Sequence, residues 1–366
     1  MEQCWNISRP EHYRGSSLSL NLREGNLYTV YMIRVAINGF GRIGRLAARI
    51  ILTKFHNQIE LVAVNTSGSM ETSGWCHLLM NDTTYRQFEL QVTSDKDNLI
   101  IESMGLKISV LAQRDPELLP WKDLNVDVVL ECTGKFTDEL GALKHAKAGA
   151  KHVIISAPSK GGNVGTYVLG VRSQELGASP EVISNASCTT NCITPVAAVI
   201  NSKFGIVKAM MTTVHAYTDD QNLQDASHKD LRRARAAAAN IVPTSTGAAI
   251  ATTEVIPELK GLFDGISLRV PVITGSIADF VFVTKVKVTR EEINQTLLDA
   301  VQSPQYKNIL AMSGISGLPE HLVSSDIIGL SYSAVIDPEF TQVIDGDLVK
   351  VLAWYDNEWG YANRLV

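Results

Sequence analysis

The chain lacks most of the features that would place it outside the ordinary globular enzymes. Its five cysteines, at 4, 76, 132, 188 and 192, are odd in number and scattered, with no C-x-x-C pair. That argues against a disulfide framework and against a structural zinc site, so no metal is expected and a reducing cytoplasm fits best. Long apolar runs are missing too. Stretches such as 196–200 fall far below the ~18 consecutive residues of a membrane helix, and no membrane association is expected. The first thirty residues carry Glu2, Arg9, Glu11, Arg14 and Glu24 where a secretory signal would need a basic start and an apolar core. Nor is positive charge in excess. Lys and Arg number 33 against 38 Asp and Glu, a net charge of −5, so the surface as a whole does not attract nucleic acid. Any anionic ligand must be met by a local basic cluster, and one stands at 229–235.

What is present is a 366-residue chain, 45% hydrophobic and 19% charged, long enough for two domains of ~150 residues with a sizeable core. Residues 1–31 are polar and aperiodic and read as an extension outside the fold. From Met32 apolar strand patterns alternate with helical ones: 33–37, a glycine loop, a helix over 45–55, a strand over 60–65, another over 126–132, a helix capped by Thr137 and stopped at Gly149, then a strand over 153–156. Such alternation implies parallel strands with crossover helices. After Ser187 long strands dominate (206–214, 266–272, 278–288), which points to a second, largely antiparallel sheet. A T-x-x-E box at Thr289 and Glu292 starts a helix. Asp345-Gly346 reads as a tight hairpin turn.

Between the first strand and helix lies Gly39-Phe40-Gly41-Arg42-Ile43-Gly44. The glycines allow a tight turn and close backbone approach, and the helix start offers N–H groups to a pyrophosphate. The acid expected about 20 residues on, which would hold a ribose 2′-hydroxyl, is replaced by Asn65 and Thr66, followed by Ser67 and Gly68. Its absence lifts the barrier to a 2′-phosphate, to which the hydroxyl of Thr66 or Ser67 could donate; the alternative is a turn that simply needs small polar residues here. Cys188, in Ser187-Cys188-Thr189-Thr190-Asn191-Cys192, stands at a predicted helix start, where N–H groups and the helix dipole favour a reactive thiolate. Taken alone it could equally be a small buried hydrophobe, the reading that suits Cys192. His215, at a strand end, could be a catalytic base or a hydrogen-bonded structural histidine.

Taken together, residues 36–45, 187–192, His215-Ala216-Tyr217-Thr218 and 354–361, with 27 residues from cysteine to histidine, make the sequence over 32–366 resemble the phosphorylating glyceraldehyde-3-phosphate dehydrogenases. The resemblance implies an α/β fold: a Rossmann dinucleotide-binding domain over 32–187, to which 357–366 return, and an α+β catalytic domain with a mixed, largely antiparallel sheet over 188–356. It implies a homotetramer acting on glyceraldehyde 3-phosphate and inorganic phosphate, with NADP and/or NAD as cofactor. Cys188 is implied as the nucleophile and His215 as the base. Thr218 and Arg269 match the site for the substrate's phosphate. Ser187, Thr246 and Gly247 match the site for the attacking phosphate, with Arg233 near both and Thr189 grouped with them. Beyond the glycine loop, the cofactor residues implied are Asn65, Thr66, Arg114, Thr133, Gly134, Ser156, Ser227, Asn357 and Tyr361. Ala226-Ser227 resembles the photosynthetic, NADP-using members, in which the loop reaches a neighbouring subunit. Members of the family continue past residue 366 into a terminal helix, so a fragment with uncovered Rossmann surface is expected. Two rivals remain: erythrose-4-phosphate dehydrogenase, and a non-catalytic scaffold.

Overall fold

A computed structural model of the protein describes residues 18–23, 26–172 and 181–366. Within the region expected to lie outside the fold, Leu18–Arg23 and Asn26–Tyr31 pair as an antiparallel hairpin that joins neither main sheet; the rest of that region lies outside the described residues.

The first main sheet holds nine strands: β1 (Ile33–Asn38), β2 (Ile59–Asn65), β3 (Thr93–Ser94), β4 (Asn98–Ile101), β5 (Leu106–Leu111), β6 (Val128–Glu131), β7 (His152–Ile155), β8 (Gly165–Thr166) and β9 (Val182–Ser184). Their order is β8-β9-β7-β6-β1-β2-β5-β4-β3, parallel except at the β5-β4-β3 edge. The last four residues of β1 are all buried, as expected for a parallel strand covered on both faces. Helices α1 (Arg42–Ile50), α2 (Thr72–Met80) and α3 (Glu139–Lys147) flank it. Two expectations shift. Helix α1 begins three residues early, at Arg42, and ends in a wider turn over Ile51–Phe55. The cap of α3 is Asp138 rather than Thr137: the Asp138 carboxylate accepts from Gly141 N at 2.8 Å, while Thr137 is buried.

Helix α4 (Cys188–Phe204) leads from β9 into the second sheet, formed by β10 (Ile206–Ala216), β11 (Val242–Ser245), β12 (Phe263–Val270), β13 (Ser276–Thr284), β14 (Leu310–Met312), β15 (Ala334–Ile344) and β16 (Leu348–Tyr355). The order is β11-β12-β10-β13-β16-β15-β14. Pairings are antiparallel except β10 with β12 and β14 with β15, the mixed sheet that the family resemblance implies. Helix α4, with α5 (Ala248–Val255) and α6 (Arg290–Gln302), covers one face. Ile193, Val196 and Ile200 of α4 share a core with Met211, Phe280, Phe282 and Val351 of the sheet. The opposite face alternates outward, leaving Met210 69% and Ile266 50% exposed. The Thr289–Glu292 capping box is formed, and Asp345 and Gly346 take the positive φ values, 48° and 76°, of a hairpin turn. A last helix, α7 (Trp359–Leu365), packs Ala362 against Leu46 and Ile50 of α1, so that face of the first layer is covered by the chain itself.

Candidate active site

Ser187 caps α4, its hydroxyl accepting from Thr190 N at 3.1 Å. This fixes Cys188 as the first helical residue. Alternate residues of β10 face α4, and that period brings His215 to the same end of the layer. Cys188 Sγ lies 3.4 Å from His215 Nε2. On the other side of the ring, Nδ1 sits 2.6 Å from the Ala216 carbonyl. A carbonyl only accepts, so Nδ1 carries the proton and Nε2 presents its lone pair to the thiol. Burial, and after it the charge of Arg269, pulls His215 down to about 3, so the imidazole is neutral at physiological pH. Burial also pushes the Cys188 thiol up, against the opposing pull of Arg269 and of N–H groups at the helix start. The helix-start stabilisation expected from sequence is present but outweighed, and the pair is a neutral thiol facing a neutral base. Cys192 is fully buried beneath it.

The register of β10 with β12 sets Arg269 opposite His215. Around it gather Thr218, whose hydroxyl accepts from Arg269, and Arg233, which donates to Thr244 Oγ1 at 2.7 and 3.0 Å. Arg269 Nε is buried with no acceptor among the described residues. Thr218, Arg233 and Arg269 therefore form one cluster of cationic and hydroxyl donors beside the cysteine, a set suited to phosphate. Thr189 does not join them. Its hydroxyl is 2.8 Å from Tyr355 OH, which is 2.7 Å from Thr213 Oγ1, and all three are buried. The Tyr355 ring meets His215 edge-on at 5.9 Å. Thr246 Oγ1 accepts from Ala248 N at 3.2 Å and Gly247 caps α5, so both stand at the start of that helix with no hydrogen bond to Cys188.

In the glycine loop the three glycines differ physically. At Gly39, with φ +98°, a Cβ would fall 2.7 Å from the Cys132 and Thr133 backbone; at Gly44 it would fall 2.1 Å from Gly39 O; at Gly41 it would meet nothing within 4 Å. The outer two are required by the turn and by helix–strand packing, and the middle one fronts open space where a diphosphate can approach the unpaired first-turn N–H groups of α1. The loop therefore fits a dinucleotide, but through its backbone. The side chains turn elsewhere: Phe40 is buried against Trp75, Ile43 packs on the core, and Arg42 bridges Asp82 and Glu358, both at 2.5 Å.

Two of the cofactor candidates have side chains already engaged within the fold. Asn65 donates to Asn38 Oδ1 (2.7 Å) and to Gln113 O (2.8 Å), and accepts from Gln113 N (2.9 Å). Thr66 donates to Leu111 O (3.0 Å). Both side chains are buried in closing the β2–β5 strand ends, and the exposed hydroxyls at this edge are Ser67 and Ser69, 2.8 Å apart. Arg114 is exposed, as is Ser227, which no hydrogen bond links to the groove. Thr133 is held by Glu131, Gly134 has φ +69° beside open space, and the Ser156 N–H donates to Glu131 O. Asn357 Oδ1 accepts from Ser276 Oγ (2.9 Å), Gly275 N (3.2 Å) and Thr274 Oγ1 (3.3 Å), which turns its amide nitrogen outward as a donor. Tyr361 OH is bound to Ala186 O at 2.9 Å.

Sequence reasoning missed Asp220, whose carboxylate is 2.5 Å from Arg233; its place two residues after Thr218 was the available signal. It missed Tyr355, although a hydroxyl in the inward phase of a buried strand demands a partner. Nothing local announces the buried chain Trp121–His145–Glu131–Asn38, linked at 2.9, 3.1 and 2.5 Å.

Comparison with known proteins gives the following. Residues 33–139 match the family described as glyceraldehyde 3-phosphate dehydrogenase, NAD binding domain, and residues 187–357 match the C-terminal domain of the same family. The chain is 50% identical over 337 residues, 92% of its length, to glyceraldehyde-3-phosphate dehydrogenase 2 of Trichormus variabilis, covering 97% of that protein. It is 48% identical over 334 residues to the glyceraldehyde-3-phosphate dehydrogenase of Zymomonas mobilis, spanning 91% of this chain and 96% of that one. The chloroplastic glyceraldehyde-3-phosphate dehydrogenase B of Pisum sativum is 48% identical over 340 residues, spanning 92% of this chain and 73% of that one.

Proposed function

Because the chain belongs to the glyceraldehyde-3-phosphate dehydrogenase family, we propose that the Cys188–His215 pair and the adjoining Thr218, Arg233 and Arg269 cluster carry out its reaction. The protein is an NAD(P)-dependent oxidoreductase acting on glyceraldehyde 3-phosphate, and the relatives support that substrate rather than the erythrose alternative. The observation that carries the assignment of roles is the 3.4 Å approach of Cys188 Sγ to a histidine nitrogen whose tautomer is fixed by Ala216 O.

Cys188 attacks the aldehyde carbon as His215 Nε2 takes the thiol proton, and that proton passes to the new oxygen. His215 then accepts the hydroxyl proton as the hemithioacetal collapses to a thioester on Cys188. When bound, the nicotinamide accepts the hydride released in this step. Inorganic phosphate attacks the thioester carbon, forming an acyl phosphate and returning the thiolate, which His215 reprotonates. Thr218, Arg233 and Arg269 hold the substrate's phosphate so that the aldehyde carbon faces Sγ. The proposed site for inorganic phosphate is the α5 start at Thr246 and Gly247 together with the Ser187 hydroxyl. The α1 start holds the diphosphate and the Asn357 amide the carboxamide. Tyr361 acts indirectly, bracing Ala186, a non-glycine residue at φ 55° just before the nucleophile.

Assembly as a homotetramer is proposed through the outward face of the second sheet, where Met210 and Ile266 are exposed apolar side chains. A reducing compartment such as the cytoplasm suits a chain whose described cysteines are all free thiols and whose nucleophile is one of them. NAD(P)H formation from the two aldehydes, each with and without inorganic phosphate, tests the reading. Phosphate-dependent turnover of glyceraldehyde 3-phosphate is expected. Phosphate-independent turnover of the erythrose substrate alone would overturn it.

A further inference from the structure

The donors assigned to the substrate's phosphate already face a carboxylate of the chain itself. Asp220 Oδ2 is 2.5 Å from Arg233 Nη1, Oδ1 is 3.6 Å from Arg269 Nη1, and the Thr218 hydroxyl donates to it. No other carboxylate among the described residues touches both arginines. Asp230 reaches Arg233 only from its Nε edge, at 3.4 Å, while its Oδ1 accepts the N–H of Arg232 and of Arg233. The two arginine side chains are 21% and 14% exposed, whereas Asp220 is 42% exposed, so the carboxylate lies on the solvent side of the guanidinium groups.

We infer that Asp220 is a specificity-determining residue: an internal anion that competes for the phosphate donors and makes the cluster select dianions. The inference rests on the phosphate-site reading above. The two arginine charges face two carboxylates, Asp220 on the solvent side and Asp230 at the Nε edge of Arg233, so little net positive charge remains. A monoanion entering the cluster exchanges one negative charge for another and gains little. A phosphate dianion carries twice the charge and more acceptor oxygens, including one for the Arg269 Nε that lacks an acceptor, so it can displace the carboxylate and still gain. Discrimination then comes from a repulsive element built beside the attractive ones. The carboxylate is in turn held ionised by its partners: burial opposes ionisation, but the Thr218 hydroxyl and the two arginines together bring Asp220 below the usual carboxylate range.

The opposite role, Asp220 as a mere brace for the arginines, predicts effects of opposite sign. Asp220→Asn keeps the shape and an oxygen that can accept from Thr218 while removing the charge. If Asp220 competes, the variant should bind sulfate and inorganic phosphate more tightly in thermal-shift titrations. Its KM for glyceraldehyde 3-phosphate should fall about fivefold, from the loss of one like charge nearby. Its preference for the phosphorylated aldehyde over unphosphorylated glyceraldehyde, in kcat/KM, should shrink. A raised KM with weaker sulfate binding, or an unchanged preference, would overturn the inference. Arg269→Gln run in parallel separates the two levels: it should raise the KM for the phosphorylated aldehyde and weaken sulfate binding in the same thermal-shift titrations. If it does not, the phosphate-site assignment itself fails, whatever Asp220→Asn does.

Discussion

The catalytic corner and the glycine loop sit at the ends of neighbouring layers, yet they are built on opposite plans. In the corner, side chains carry the chemistry: a sulfur faces an imidazole at 3.4 Å, and Arg269 donates to the Thr218 hydroxyl. In the loop the side chains turn away, Phe40 into the core and Arg42 into a bridge between two acids, and the backbone alone is left facing open space. The first region should be sensitive to what a residue is, and the second to whether a side chain exists at all.

The sharpest break of that contrast is at the nucleophile. Cys188→Ser keeps the geometry and should lower kcat by roughly 10³-fold or more, and His215→Asn by about 10²-fold or more, both read by steady-state NAD(P)H formation. Loss of less than tenfold in either would remove these residues from the chemistry. Within the loop the test is one methyl group. Gly44→Ala places a Cβ against Gly39 O and should cost about 3 kcal/mol in denaturant unfolding, the upper range of overpacking. Gly41→Ala, with nothing within 4 Å, should leave unfolding unchanged yet weaken NAD(P) binding by about tenfold, because the methyl stands where the diphosphate approaches. Equal effects of the two on unfolding would erase the distinction drawn between the glycines. The smallest expected effect concerns the 2′ position. Ser67→Asp should lower kcat/KM with NADP by about tenfold and spare NAD, through like-charge repulsion at an exposed edge. Thr66→Asp should act instead on stability, because it buries a carboxylate between β2 and β5. A cofactor effect at 66 without a stability effect would return the 2′ site to Thr66.

How much was legible beforehand follows the same division. Cys188 and His215 could be read locally, because each depends on a strand end or a helix start that its own neighbours specify. The α/β order and the change of sheet at Ser187 followed from hydrophobic period. The side-chain directions of Asn65 and Thr66 were not legible, because a strand-end position specifies proximity to the groove but not orientation; the acceptors that engage them, Leu111 and Gln113, lie on β5 and just beyond it, some 45 residues on. The orientation of Thr189 was hidden for the same reason. One step along a helix start turns a hydroxyl from the substrate side to the buried Tyr355, which is 166 residues away in sequence. The cap at Asp138 rather than Thr137 is a one-residue question that composition alone leaves open.

The five residues from Asp356 to Gly360 and their neighbour Tyr361 have a bearing on when the enzyme becomes an enzyme. Glu358 binds Arg42 across 316 positions, Asp356 binds Tyr85 across 271, and Tyr361 holds the carbonyl of Ala186 across 175. During synthesis the first sheet and its glycine loop can form long before these partners leave the ribosome, and so can Cys188 at its helix start. The clamp that fixes both halves is therefore the last to arrive. A nascent chain exposed only to residue 350 has its nucleophile and its loop but no Asn357 and no brace on Ala186. Its reactive groups should stay idle until residues 356–361 emerge, so that the thiol acquires its working geometry only when the rest of the site can use it.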